Sequence, residues 1–410
     1  MPDERHDEQP GQTDSDLLRW REEFPILSST TYLSSNSLGA MPRAVYDSLR
    51  QYADTWATRG VRAWGEGWWE MNTRVGDKAG AIIGAPSGSV SMHMNISLAM
   101  GILLTCFDYD GPRNKVVIEA GIFPSVYYVL REMLPRHIEL VMVPSDDGIT
   151  VPTQRIIDAI DERTLIVLIS HVLFRSAYIV DVKAITEKAH AVGATVIVDG
   201  YHAAGIIPVD VTALNVDFYL GGVLKWLCGG PGGVFLYARP DHLRTVHPKL
   251  TGWMAHRRPF DFEVAPIDLR EDAFRFMNGT PAIPSLHANE PGLDIIGAVG
   301  SEAIRRKSMR QTAIIVARAQ AAGHAINSPL NPSERAGTVS LEPDPERSYA
   351  IAQELIARDI LVDYRPGAGI RLAPHFYNTD AEVHTAMDAI ADIMDSGAWQ
   401  RHMQPRSFVT

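Results

Sequence analysis

Cysteine is nearly absent. Cys106 and Cys228 are the only two in 410 residues, so neither a disulfide framework nor a cysteine-rich metal site can be built. Long apolar runs are missing as well: nothing reaches the roughly eighteen residues that a membrane-spanning helix needs. The N-terminus is acidic and polar, not basic and then apolar, so it does not read as a signal peptide. Positive charge is in deficit, with 38 Lys and Arg against 49 Asp and Glu and a formal net charge of −11. No basic stripe occurs, which argues against nucleic acid or an anionic membrane as partner. These absences together lead us to expect a soluble, cytoplasmic protein. Residues 1–15 have almost no apolar side chains and read as a disordered tail. We find no internal repeat.

What is present is ordinary for a globular chain: 46% apolar and 21% charged residues, at a length that suits one large domain and a smaller one. Strand-like runs at 115–119, 139–143, 164–170 and 195–198 alternate with helical patterns. That order predicts an α/β fold with a mostly parallel sheet flanked by helices. Between the helices at 74–84 and 95–105 the pattern reads as a loop. Residues 218–220 and 234–237, around GGPGG, read as a hairpin completing the sheet. A single long helix is expected over about 285–322, followed by a compact C-terminal α+β unit.

The informative stretch is Thr195–Ala238. Thr195–Val198 is a β-branched run ending in Asp199, and in open α/β sheets ligands sit at that edge. Lys225 lies among Val223, Leu224, Trp226 and Leu227. Removing water from an ammonium lowers its pKa, and a lysine that is neutral near pH 7 is a Schiff-base nucleophile. A strand-end acid can hold a pyridine nitrogen protonated. The pair points to pyridoxal 5′-phosphate (PLP) bound through Lys225, although an acid and a lysine in such places also occur in proteins without any cofactor.

Ten short segments in order carry a resemblance: YLSSNSLG (32–39), VRAW (61–64), RVGDKAG (74–80), FPS (123–125), SHVLFRSA (170–177), VDGYHAAGIIPVD (198–210), LKWLCGGPGG (224–233), TGWMAHRRPF (251–260), NGTP (278–281) and GIRLAP (369–374). The chain resembles the bacterial kynureninases, within the class V aminotransferase-type PLP enzymes. The resemblance implies the PLP-dependent transferase fold of type I. It divides the chain into a segment at 16–60 joining the small domain, a large PLP-binding domain at 61–275 and a small domain at 276–410. It makes Lys225 and Asp199 the catalytic residues. His202 is placed beside the cofactor's O3′ or phosphate, Phe123 stacked on its ring, and Ser170 within reach. The phosphate falls to Met94, Asn95 and Ile96 at a helix N-terminus, and to Trp253, Asn278 and Thr280 supplied across a homodimer interface. Arg371 is implied as the reader of the substrate carboxylate. Trp64 and Asn36 become candidates for contact with a small amino-acid substrate. Arg175 matches a family position to which no role attaches.

The chain also departs from the family. Leu224 replaces the tyrosine that precedes the lysine, and that tyrosine binds phosphate and takes part in proton transfer. Asn95 and Ile96 replace a hydroxyl-bearing pair, Val126 replaces an acid, and Val223 a small hydroxyl residue. Hydrolytic Cβ–Cγ cleavage of kynurenine or a related amino acid is the leading expectation. A transaminase, racemase or C–S lyase with the same cofactor, or a non-catalytic relative, stays open. With no cysteine after Cys228, persulfide-forming desulfurase chemistry is disfavoured.

Overall fold

Short aliphatic strands separated by helices bury both faces only when helices cover the sheet on both sides. The computed structural model, which describes residues 14–403, has that arrangement. The expected tail falls almost wholly outside the described residues, although Asp14 and Ser15 open a short helix.

The large sheet has seven strands: β1 (Val90–His93), β2 (Lys115–Glu119), β3 (Glu139–Val143), β4 (Thr164–Ser170), β5 (Thr195–Asp199), β6 (Phe218–Gly222) and β7 (Val234–Ala238). Their order is β1-β7-β6-β5-β4-β2-β3. The five strands from β6 to β3 run parallel, whereas β7 is antiparallel to β6 and to β1. One face packs a core containing Val167, Val196 and Tyr219, and the other a core containing Ile118, Ile197 and Leu220. Alternate residues of one strand thus serve opposite layers.

Strand β1 stands where the sequence reads as a loop. Four residues carrying Ser91 give no periodicity, and what makes them a strand lies elsewhere in the chain. The Asn72 side chain accepts from the Met92 N–H at 3.0 Å and donates to its carbonyl at 2.7 Å, closing the sheet edge. The expected single long helix is two, Ile283–Val299 and Ser301–Ala321, divided at Gly300, whose φ of 82° no continuous helix tolerates.

A second sheet is formed by β8 (Ala325–Ile326), β9 (Val339–Glu342), β10 (Asp363–Arg365) and β11 (Gly369–Leu372), in the order β10-β11-β9-β8. It packs through Val339, Leu341 and Ile370 on a separate core with Ile351, Leu355, Val383 and Ile390. Thr31–Tyr32 pairs with Ile360–Leu361, so the N-terminal segment joins this unit. No helix among the described residues is long and apolar enough to cross a membrane.

Candidate active site

Glu119, Ser170, Asp199 and Gly222 end β2, β4, β5 and β6 at one edge of the sheet, with Ser170 in register opposite Asp199. The chain turns at once after β5. The Gly200 N–H donates to Leu220 O at 2.6 Å and the Tyr201 N–H to Asp199 Oδ1 at 2.9 Å. Glycine is required at 200 because a Cβ there would lie 2.1 Å from the Tyr219 ring. Beyond β6, Val223 N–H donates to Gly233 O at 3.0 Å and Gly229 N–H to Val223 O at 2.8 Å, which closes the GGPGG loop beneath Lys225. The Gly39 N–H donates to Leu224 O at 2.8 Å, so the 34–39 loop clamps the same turn from the other side.

These turns enclose a cavity of about 250 Å³, the size of a small planar cofactor rather than of a drug-like ligand. Among the residues singled out from sequence, Asn95, Ile96, Phe123, Ser170, Asp199, His202 and Lys225 line it. Burial, reinforced by Arg371, lowers the Lys225 amine to about 7. Its Nζ lies 2.5 Å from His202 Nε2, between the rings of Phe123 and Tyr201. Burial and the neighbouring Lys225 hold His202 well below its ordinary range, so a neutral imidazole accepts from the amine. Asp199 is raised by burial, offset by the Tyr201 N–H and by Lys225. Asn95 caps the helix Ile96–Leu104, its Oδ1 accepting from Leu98 N–H at 2.9 Å. Unpaired N–H groups of that first turn suit an anion at the cavity wall.

Other residues singled out from sequence lie elsewhere. Met94, Asn278 and Thr280 line a smaller neighbouring cavity with His93. Trp253 belongs to a surface aromatic cluster with Trp69, Phe260 and Phe262. Trp64 packs edge-on against Trp68, and Asn36 is buried with neither amide atom hydrogen-bonded. Arg371 is 1% exposed. Its Nε donates to Asp363 Oδ1 at 2.6 Å, its Nη2 to Asp363 Oδ2, and its Nη1 to Phe174 O at 2.5 Å. Arg365 Nη2 lies 3.0 Å from the same carboxylate, so two guanidiniums share one acid and a net positive charge remains. Arg175 is exposed and lies over the Phe174 ring. Asp181 caps the helix Val182–Ala191.

Several residues of the site were not singled out from sequence, among them Ser125, Val172 and Phe174 in the cavity lining. Tyr201 lines the cavity beside Lys225. Glu119 is fully buried behind Ser170, its Oε1 accepting the Ser170 N–H at 3.2 Å while Oε2 has no partner. Both acids end apolar strands, KVVIE and TVIVD, so the pattern that marks Asp199 marks Glu119 equally.

Burial raises Glu119 from 4.5 to about 7, with Ser170 hydrogen bonds opposing the shift. The folded protein therefore holds a proton there that the unfolded chain releases. The stabilisation is complete below pH 4.5 and is lost as pH rises through 7, a change of about 3 kcal/mol. Glu119→Gln removes the titration and keeps the acceptor for Ser170. Denaturant midpoints of the apoprotein at pH 5 and pH 8 are expected to differ less in Glu119→Gln than in the wild type. An unchanged difference would show that Glu119 does not titrate in this range.

Comparison with known proteins places the chain in a family. The aminotransferase class-V family matches residues 31–383. A kynureninase from Burkholderia pseudomallei (strain 1106a) is 32% identical over 403 residues, covering 94% of each chain. A kynureninase from Pseudomonas fluorescens is 31% identical over 411 residues, covering 96% of each. Among solved structures, an apo cysteine desulfurase from Thermococcus onnurineus NA1 superposes with a TM-score of 0.81 at 20% identity, covering 92% of this chain and 98% of its own. A cystine C–S lyase bound to cysteine persulfide superposes at 0.82 and 20% identity, covering 90% and 99%. At that identity the structures speak for the fold alone, which is the PLP-dependent type I fold expected from the sequence. With a lysine lowered to about 7 facing a buried strand-end acid, and with kinship along nearly its whole length, the chain belongs to the class V aminotransferase family and is a kynureninase-like, PLP-dependent enzyme.

Proposed function

We propose that the enzyme cleaves the Cβ–Cγ bond of kynurenine, or of a closely related β-acyl amino acid, by hydrolysis. The observation that carries this reading is the Lys225 amine, neutral in part at pH 7, in a cavity whose apolar walls include Phe123, Phe174, Tyr201, Val172 and Leu224. Such walls suit an aryl ketone better than a second charged group.

The donor set fits PLP: an amine for the aldehyde at Lys225, a carboxylate for the ring nitrogen at Asp199, and a capped helix N-terminus with Asn95 for the phosphate. When bound, the cofactor supplies the electron sink for bond cleavage at the substrate's α and β carbons. Lys225 then holds and returns the Cα proton, helped by a His202 that stays neutral and accepts from it. Phe123 and Tyr201, whose rings lie near the amine, exclude water from it. In this reading Arg371, aimed by Asp363 and Phe174 O, binds the substrate carboxylate through the Nη hydrogens those partners leave free.

The same reading makes the enzyme a homodimer whose partner completes the phosphate site. Asn278 and Thr280 lie outside the Lys225 cavity of their own chain. Trp253, Phe260, Phe262 and Val264 are 44%, 62%, 71% and 93% exposed, an apolar patch that favours cover by a second copy.

PLP-loaded enzyme incubated with kynurenine is expected to release anthranilate and alanine, with specific activity falling on dilution as dimers separate. Absence of anthranilate despite intact cofactor absorbance would overturn the hydrolysis. Activity independent of dilution, with a monomeric mass in sedimentation, would overturn the shared site.

A further inference from the structure

A leucine at 224 leaves the site without the hydroxyl group that the family's tyrosine provides next to the lysine. Tyr201 lies beside the same amine, with its ring centroid 5.0 Å from Lys225 Nζ. Its N–H is tied to Asp199 Oδ1 at 2.9 Å, which anchors the backbone from which the phenol projects. The phenol lies against the end of β6, where a Cβ on Gly222 would sit 1.9 Å from Tyr201 Cζ and 2.1 Å from its hydroxyl oxygen. Only glycine at 222 leaves room for it. The hydroxyl makes no hydrogen bond to any described residue, and the side chain lines the cavity together with Leu224 and Lys225. Burial, with Asp199 adding to it, raises the phenol above its ordinary value, so near neutral pH it carries its proton.

We propose that Tyr201 is a catalytic residue, its phenol supplying from the β5 turn the proton donor that position 224 lacks. The assignment rests on the hydrolytic reading above. As the acyl group leaves, the Tyr201 O–H bond breaks and a C–H bond forms at the substrate's Cβ. Water, whose oxygen bonds to the acyl carbon, returns a proton to the phenolate. One water is consumed, one Cβ–Cγ bond is broken, and tyrosine ends as it began.

The test uses PLP-loaded enzyme and L-alanine in deuterated water, followed by NMR. Wild type is expected to exchange both Cα and Cβ hydrogens. Tyr201→Phe, which keeps the ring, is expected to retain the Cα exchange that Lys225 performs and to lose Cβ exchange by at least about 100-fold. Its apoprotein is expected to bind PLP as tightly as the wild type. Adding Leu224→Tyr to Tyr201→Phe is expected to restore Cβ exchange at least tenfold, by returning a phenol next to the lysine. Equal Cβ exchange in wild type and Tyr201→Phe overturns the proposal, as does no Cβ exchange in the wild type. Joint loss of both exchanges with weakened PLP binding also overturns it, because Tyr201 would then be only a wall. A parallel arm with kynurenine separates the two ideas: the expected exchange pattern without anthranilate release overturns the hydrolysis and leaves the role of Tyr201 standing.

Discussion

Lys225→Ala is expected to abolish covalent retention of PLP and to slow turnover by about 10⁴-fold, the upper end of the range for removing a positioned acid–base group. Borohydride treatment of the wild-type holoenzyme should fix the cofactor to the peptide containing Lys225, and should fix none in the variant. Two other lysines, Lys115 and Lys307, are buried as well, yet both are committed elsewhere. Lys115 donates to Ala159 O at 2.7 Å and pairs with Asp161, and Lys307 donates to Phe376 O at 2.8 Å. At 225 burial and a neighbouring guanidinium lower the amine to about 7, with a neutral imidazole as its partner. Below pH 7 the amine becomes an ammonium that cannot attack an aldehyde. The rate at which apoprotein takes up PLP should therefore fall about tenfold for each unit below that point. Cofactor found on another lysine would end this assignment.

Asp199→Asn is expected to reduce kcat by about 10²- to 10³-fold, the scale for removing a preorganised electrostatic partner of the reacting system. An amide keeps the shape and can still accept the Tyr201 N–H, but it cannot stabilise a protonated ring nitrogen. Stability should move the opposite way. Burial holds Asp199 above its ordinary range, so its stabilisation is complete below the unfolded value and is lost as pH rises through the folded one. At pH 8 the variant apoprotein should be at least as resistant to denaturant as the wild type while turning over far more slowly. A variant that is unstable and equally active would remove Asp199 from the chemistry.

Not all of this was equally legible. The strands β2, β4 and β5 read clearly because burial on both faces forces unbroken apolar runs, KVVIE, TLIVLIS and TVIVD. Strand β1 did not, since the partner that closes its edge, Asn72, is some twenty residues away in sequence. Gly300 divides a helix whose apolar pattern continues past it. At the site, an acid or a lysine at the end of an apolar run carries its own signal, and Asp199 and Lys225 were found by it. Glu119 carried the same signal unread. Arg371 was recognisable as a carboxylate-binding group, but not the acid that occupies it: Asp363 faces it only because β10 and β11 pair in that register.

Chemistry that belongs to a residue and its immediate neighbours was therefore legible in sequence: a lysine in an apolar run, an acid at a strand end, the α/β class and the family. Tertiary structure alone decided which groups share the cavity and which are kept out of it, and which phenol stands beside Lys225. Those outcomes depend on strand register and on space left by single glycines, Gly200 for Tyr219 and Gly222 for Tyr201. Distances of that kind exist only once residues remote in the chain are packed together.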